Sequence, residues 1–93
     1  MPVDSVRIAW YREKDYEALL DVFEDAATLP DTYREWRRIA ERTEIHLKLQ
    51  GHVVERAYID PVTFPDWCRQ RGLKLDAQSR SKFASESGKG KED

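Results

Sequence analysis

Few side chains in this chain could bind a metal ion or attack a substrate. The soft metal ligands are His46, His52 and Cys68, which lie six and then sixteen residues apart. A structural zinc site takes three or four such ligands, and two of them are usually close together in the sequence. No Cys-x-x-Cys pair is present. We therefore predict no metal site and no cofactor.

Cys68 is the one candidate nucleophile. It lies near the start of a predicted helix, where the positive end of the helix dipole can lower the pKa of a thiol, and His52 and Asp60 could assist it. However, a cysteine next to a tryptophan, here Trp67, on a short helix is commonly buried and unreactive. The pair Asp60-Pro61 is typical of a turn in which the aspartate side chain bonds to the backbone. We predict no catalytic residue, and an enzyme or ligand-binding domain that uses Cys68, Asp60 and His52 is the alternative.

Three arginines recur at every fourth residue along the exposed side of the second predicted helix: Arg34, Arg38 and Arg42. Such a stripe can contact phosphates, so nucleic-acid binding is a second alternative. Glutamates interleave with the stripe and favour a solvated face of intrahelical ion pairs instead. Arg38 is placed to meet Glu41, and Glu44 is placed to meet Lys48 four residues on.

Ile45 falls on the same outer face, opposite the apolar stripe of that helix. An apolar residue beside arginines is typical of a protein interface, so we predict a binding surface of Arg34, Arg38, Arg42 and Ile45. Ile45 also alternates with two leucines, which favours a strand that begins near it and turns back at Gln50-Gly51. We prefer the helix because the upstream periodicity is long and glycine commonly follows a helix end.

The composition excludes several classes of protein. The chain has 93 residues, of which 37% are charged, but 16 basic and 18 acidic side chains leave a net charge of −2. Nucleic-acid binders usually carry a clear basic excess, so that function is disfavoured. One cysteine permits no internal disulfide, and no apolar run approaches the ~20 residues of a membrane span. We predict a cytoplasmic protein without a membrane segment.

Apolar spacing predicts the secondary structure. Alternation predicts two strands, at 5–11 and 53–59, and helical periodicity predicts four helices, at about 16–27, 33–50, 63–72 and 77–84. The predicted N-caps are Asp15, Thr32, Thr63 or Phe64, and Asp76. Gly72 is expected to end the third helix with Leu73 folded back on its last turn.

These elements predict an α+β domain over 1–84, in the order β-α-α-β-α-α, followed by a disordered tail at 85–93. The small two-stranded sheet would pack against three to four helices. Two strands alone form a marginal sheet, so either the helices cover both strands in a monomer or a second copy extends the sheet in a homodimer.

The chain resembles a group of small bacterial proteins of about this length and of unknown function. The resemblance covers about 5–85 and is carried by Ile59-Asp60-Pro61, Phe64, Trp67-Cys68 and Arg71-Gly72, with the segment 11–16 and Trp36. It implies a free-standing cytoplasmic domain, and it supplies no activity, ligand or catalytic residue to carry over. Together these observations favour a small non-enzymatic domain for protein–protein interaction or regulation, which binds another protein or itself.

Overall fold

A computed structural model describes residues 5–87. It has two strands, β1 (Ser5–Trp10) and β2 (Val53–Tyr58), and four helices, α1 (Tyr16–Val22), α2 (Tyr33–Leu49), α3 (Thr63–Arg71) and α4 (Ala77–Ser87). The predicted α+β class is confirmed. Two 3₁₀ turns, Glu13–Asp15 and Ala26–Thr28, are additions to the predicted order. α4 extends to Ser87, and the rest of the predicted tail lies outside the described residues.

The two strands form a parallel sheet. Ser5 lies opposite Val53 and Trp10 opposite Tyr58, so the register is continuous along both strands. Parallel neighbours need a long crossover, and α1 and α2 provide it. The alternative hairpin at Gln50-Gly51 is therefore wrong, because α2 continues to Leu49.

Each face of the sheet is covered by a different helix. On one face, Trp10 makes an edge-to-face contact with Trp36 of α2, with ring centroids 5.1 Å apart. The other face carries Ala9 and Ala57, which are partners in the register. Their small side chains leave room for α4, which packs against both strands and buries Ala84 completely.

α1 is shorter than predicted. It ends at Val22, because Phe23 is in an extended conformation, and the predicted cap Asp15 makes no side-chain cap bond. The backbone after α1 forms a hydrogen bond with a distant part of the chain instead. The amide of Glu24 donates to the carbonyl of Leu75 at 2.7 Å. This tertiary bond replaces the helical bond that local periodicity predicts.

The capping of α3 also differs from the prediction. Neither Thr63 nor Phe64 caps it through a side chain. Instead, Oδ1 of Asp60 accepts hydrogen bonds from the amides of Val62 at 2.7 Å and Thr63 at 2.9 Å. These bonds hold the pKa of the Asp60 carboxyl below its usual value. Asp60 thus forms the predicted turn and, in addition, caps the helix.

Local signals at the other helix ends are confirmed. Thr32 accepts a hydrogen bond from the amide of Glu35, and Asp76 accepts one from the amide of Ser79. Gly72 has a left-handed conformation with φ of 65°. The amide of Leu73 then donates to the carbonyl of Cys68 at 2.9 Å, as in a Schellman motif.

The core is unusually rich in aromatic rings for so small a chain. Its buried members are Trp10, Tyr11, Tyr16, Leu19, Phe23, Trp36, Ile59, Phe64 and Cys68. The Tyr11 and Trp36 rings lie 4.5 Å apart, and Phe64 contacts Phe23, Trp67 and Phe83. The contacts of Trp36 with Trp10 and Tyr11 fix α2 against the sheet and therefore determine which of its faces meets solvent.

Candidate protein-contact surface

The outer face of α2, defined here as Arg34, Arg38, Arg42, Ile45 and Leu49, points away from the core. Steps of three and four residues place these side chains on one side of the helix. The opposite side is fixed by Trp36, which is buried, and by Glu44, which is 8% exposed. The predicted binding residues therefore share one solvent-facing surface.

Two large apolar side chains on this surface are exposed. Ile45 is 57% exposed and Leu49 is 81% exposed. They lie one helical turn apart, so they form a continuous apolar strip. Sequence reasoning identified Ile45 but missed Leu49, although a spacing of four residues from Ile45 was the available signal.

The arginines of the outer face lack the predicted ion pairs. Glu41 accepts from Nε of Arg37 at 2.8 Å, rather than pairing with Arg38. Within residues 5–87, neither Arg34, Arg38 nor Arg42 makes an ion pair or a side-chain hydrogen bond. Among the described residues, the face therefore presents three guanidinium groups that are not engaged in ion pairs.

Glu44 is also engaged differently from the prediction. Instead of meeting Lys48, it accepts two hydrogen bonds from Arg56 of β2, each 2.9 Å long. This pairing lowers the pKa of the Glu44 carboxyl. The Arg56 guanidinium in turn lies 3.8 Å from the centroid of the Trp10 ring. α2 is thus held to the sheet by charge as well as by aromatic packing.

An open cleft of about 440 Å³ adjoins the outer face. Its lining residues are Glu13, Tyr33, Arg34, Arg37, Arg38 and Glu41. The Tyr33 hydroxyl donates to the carbonyl of Tyr11 at 3.1 Å, which fixes the floor of the cleft. Arg38 also lines a second concave area with Ile39, which is 52% exposed. A partner side chain could therefore contact Arg38 from either side.

Cys68 has no access to solvent. It is 1% exposed and belongs to the core cluster. Burial raises the pKa of its thiol, so the reactive thiolate is disfavoured at neutral pH. The prediction that Cys68 lies near the start of the helix is wrong: it is the sixth of the nine residues of α3, beyond the first turn where the helix dipole acts.

We expect Cys68 to react with a thiol reagent at least about 100-fold more slowly in the native protein than in denaturant, because labelling requires opening of the core. Reaction with Ellman's reagent, followed by absorbance, measures both rates. A Cys68→Ala/Gln78→Cys variant, whose new thiol is on the exposed side of α4, should react rapidly in both states. Equal rates for Cys68 itself in buffer and denaturant would contradict this burial.

The other residues of the alternative enzymatic site do not converge. His52 precedes β2 and Asp60 follows it, so the strand alone separates them by about 20 Å. The Asp60 carboxylate is already engaged with the α3 amides. Direct proton transfer between His52 and Asp60 is not supported by this arrangement.

Two further features concern ligands and membranes. In the stretch from Ser5 to Ser87, no three histidine, cysteine, aspartate or glutamate side chains cluster in a way that could hold a metal ion. Over the same stretch, every helix is too short or too polar to cross a bilayer.

Comparison of this chain with protein-family models, with curated proteins and with solved structures finds no match. The resemblance to small bacterial proteins stays a prediction.

Proposed function

We propose that this chain is a small non-enzymatic domain for protein–protein interaction and that the outer face of α2 is its contact surface. One observation carries the proposal: Ile45 and Leu49 are exposed beside three arginines that have no ion-pair partner in the described part of the chain. Its cytoplasmic location stays a prediction.

The composition of this face supports binding to a protein. Burying a large aliphatic side chain fully contributes about 1.5–3 kcal/mol, so covering the exposed parts of Ile45 and Leu49 offers a useful share of a binding free energy. Arginine is enriched at interfaces, where its guanidinium group can form several hydrogen bonds while its stem packs. The apolar strip can therefore contribute binding free energy, and the arginines beside it can fix the orientation of a bound partner.

The rigidity of α2 also supports the proposal. Its inner side is held by the contacts of the Trp36 ring with Trp10 and Tyr11 and by the Glu44–Arg56 ion pair. A partner would therefore meet a surface that is already ordered, and little entropy would be lost by the domain on binding.

We expect an Ile45→Glu/Leu49→Glu variant to lose at least about 90% of a specifically bound partner, because two carboxylates would have to be buried in the contact. The tagged full-length chain, expressed at natural abundance in its source cell, is purified under native conditions. The co-purifying proteins are quantified by mass spectrometry. Val62→Glu is the control, since Val62 is 76% exposed, immediately precedes α3 and is not part of the outer face of α2.

Both variants should keep the free energy of unfolding within about 0.5 kcal/mol of the original, because the altered side chains are exposed. Retention of the same partner by the Ile45→Glu/Leu49→Glu variant would overturn the proposal. Unfolding of that variant would also do so, because it would mean that the strip belongs to the core.

Extension of the sheet by a second copy stays a prediction. Each strand has a single strand partner among residues 5–87, so one edge of each is left without a described strand. The molar mass from light scattering distinguishes a dimer from a monomer, and it serves as the assembly control for the variants above.

A further inference from the structure

We infer that the partner presents an acidic amphipathic segment to the outer face of α2, with carboxylates at the arginines and apolar side chains on Ile45 and Leu49. This inference rests on the proposed function and names the chemistry of the partner. Charge complementarity is its basis, because Arg34, Arg38 and Arg42 are exposed and without ion-pair partners in residues 5–87.

No acidic side chain of residues 5–87 forms an ion pair with these arginines. Glu41 is held by Arg37, and Glu44 is turned inward to Arg56. The three arginines follow one another along about two turns of helix, which gives a row about 12 Å long. A row of this length matches an acidic segment better than a single anion.

A second copy of the chain does not supply this chemistry. Two outer faces brought together would oppose three arginines to three arginines, which is unfavourable. The acidic face of α1, with Glu17 and Asp21, has the complementary charge. However, α1 exposes no large apolar side chain within its described residues, so it offers nothing to cover Ile45 and Leu49.

A nucleic acid fits the face less well than an acidic protein segment. Phosphates could meet the arginines, but a sugar–phosphate backbone would leave the strip of Ile45 and Leu49 uncovered. An acidic protein segment satisfies both the charge and the apolar strip.

The test uses the ¹⁵N-labelled full-length chain and a synthetic helical peptide of about 15 residues. The peptide carries leucines at i and i+4 on one side and glutamates on both flanks. We expect its addition to shift the amide signals of residues 34–49, with millimolar or tighter affinity that weakens as salt is raised. An otherwise identical peptide with lysines in place of the glutamates should shift them much less.

Arg38→Glu/Arg42→Glu should weaken binding of the acidic peptide about tenfold. Arg69→Glu, at an exposed position of α3, should leave the affinity within about twofold. The inference is overturned if the acidic peptide shifts none of the signals of 34–49, or if the lysine peptide shifts them equally. It is also overturned if the two arginine reversals have no larger effect than Arg69→Glu, or if a DNA duplex of similar length binds this face more tightly than the acidic peptide.

These outcomes are distinguishable from failure of the proposed function. Suppose that a cellular partner is lost from the Ile45→Glu/Leu49→Glu variant but is retained by Arg38→Glu/Arg42→Glu. The proposed contact surface would then be supported, and the inference that the partner segment is acidic would be rejected. A partner that is kept by both variants would remove the contact surface itself.

Discussion

Phe64→Ala is expected to lower the free energy of unfolding by about 4 kcal/mol, which is a large part of the ~5–14 kcal/mol available to a domain of this size. Phe64 is completely buried and lies where α3 meets Phe23 and Phe83, with ring centroids 6.0 and 5.5 Å away. Removing the ring leaves a cavity that these rigid neighbours cannot easily fill. Urea unfolding followed by tryptophan fluorescence measures the loss.

Val62→Ala is the control for this experiment, because Val62 is two residues away but 76% exposed. It should change the free energy of unfolding by no more than about 0.5 kcal/mol. A loss below about 1.5 kcal/mol for Phe64→Ala would mean that the site collapses around the missing ring, and that Phe64 is not a central packing residue.

Asp25→Ala is expected to cost about 3 kcal/mol, because it leaves a buried arginine without its counter-charge. Arg80 of α4 is 5% exposed, and it donates to the two carboxylate oxygens of Asp25 at 2.8 and 2.9 Å. It also lies over the Phe23 ring, 4.3 Å from its centroid. Urea unfolding again measures the effect.

The double variant Asp25→Leu/Arg80→Met is the control for this buried pair. Replacing both charges by apolar groups of similar volume should restore most of the stability that Asp25→Ala alone removes, because no charge is then left buried. A single Asp25→Ala variant as stable as the original would show that Arg80 can turn to solvent, contrary to the packing described here.

The pH dependence of the same variant checks the sign of this interaction. Arg80 holds the pKa of Asp25 below its usual value of 3.8. The ionised carboxylate therefore stabilises the fold above about pH 4, and this contribution disappears as the pH falls through the lowered pKa. The original chain should thus lose more stability on acidification than Asp25→Ala does. Glu44 and Asp60, whose pKa values are also lowered, should give both proteins a common remaining slope.

Features set by neighbouring residues could be predicted from the sequence. The Thr32 and Asp76 caps and the Gly72–Leu73 motif each depend on contacts within five residues, and all three are present. Solvent exposure of Ile45 followed from helical periodicity in the same way. Local periodicity was sufficient because α2 is long and Trp36 fixes its inner side against the core.

Features set by distant residues could not be predicted. α1 ends early because Glu24 bonds to Leu75, which is 51 residues away, and Asp25 pairs with Arg80, which is 55 residues away. Both acids fall within the helix predicted at about 16–27. No spacing rule connects residues so far apart until the parallel sheet and α4 have been placed.

The choice of ion-pair partners on α2 could not be predicted from the sequence either. Glu41 is within a helical turn of both Arg37 and Arg38, and the pattern alone does not say which will pair with it. The structure pairs it with Arg37 and leaves Arg38 without an ion pair among the described residues. This choice between neighbours is what makes the outer face positively charged, and the proposed partner depends on it.

The most direct test of the proposed contact surface is site-specific photo-crosslinking in the source cell. The photoreactive amino acid p-benzoylphenylalanine is introduced at position 45 or 49 of the full-length chain, or at position 78 on the exposed side of α4 as the control. We expect positions 45 and 49 to give the same discrete heterologous adduct, and position 78 to give none. Adducts that are equally abundant from position 78, or no adduct from positions 45 and 49, would contradict a contact surface on the outer face of α2.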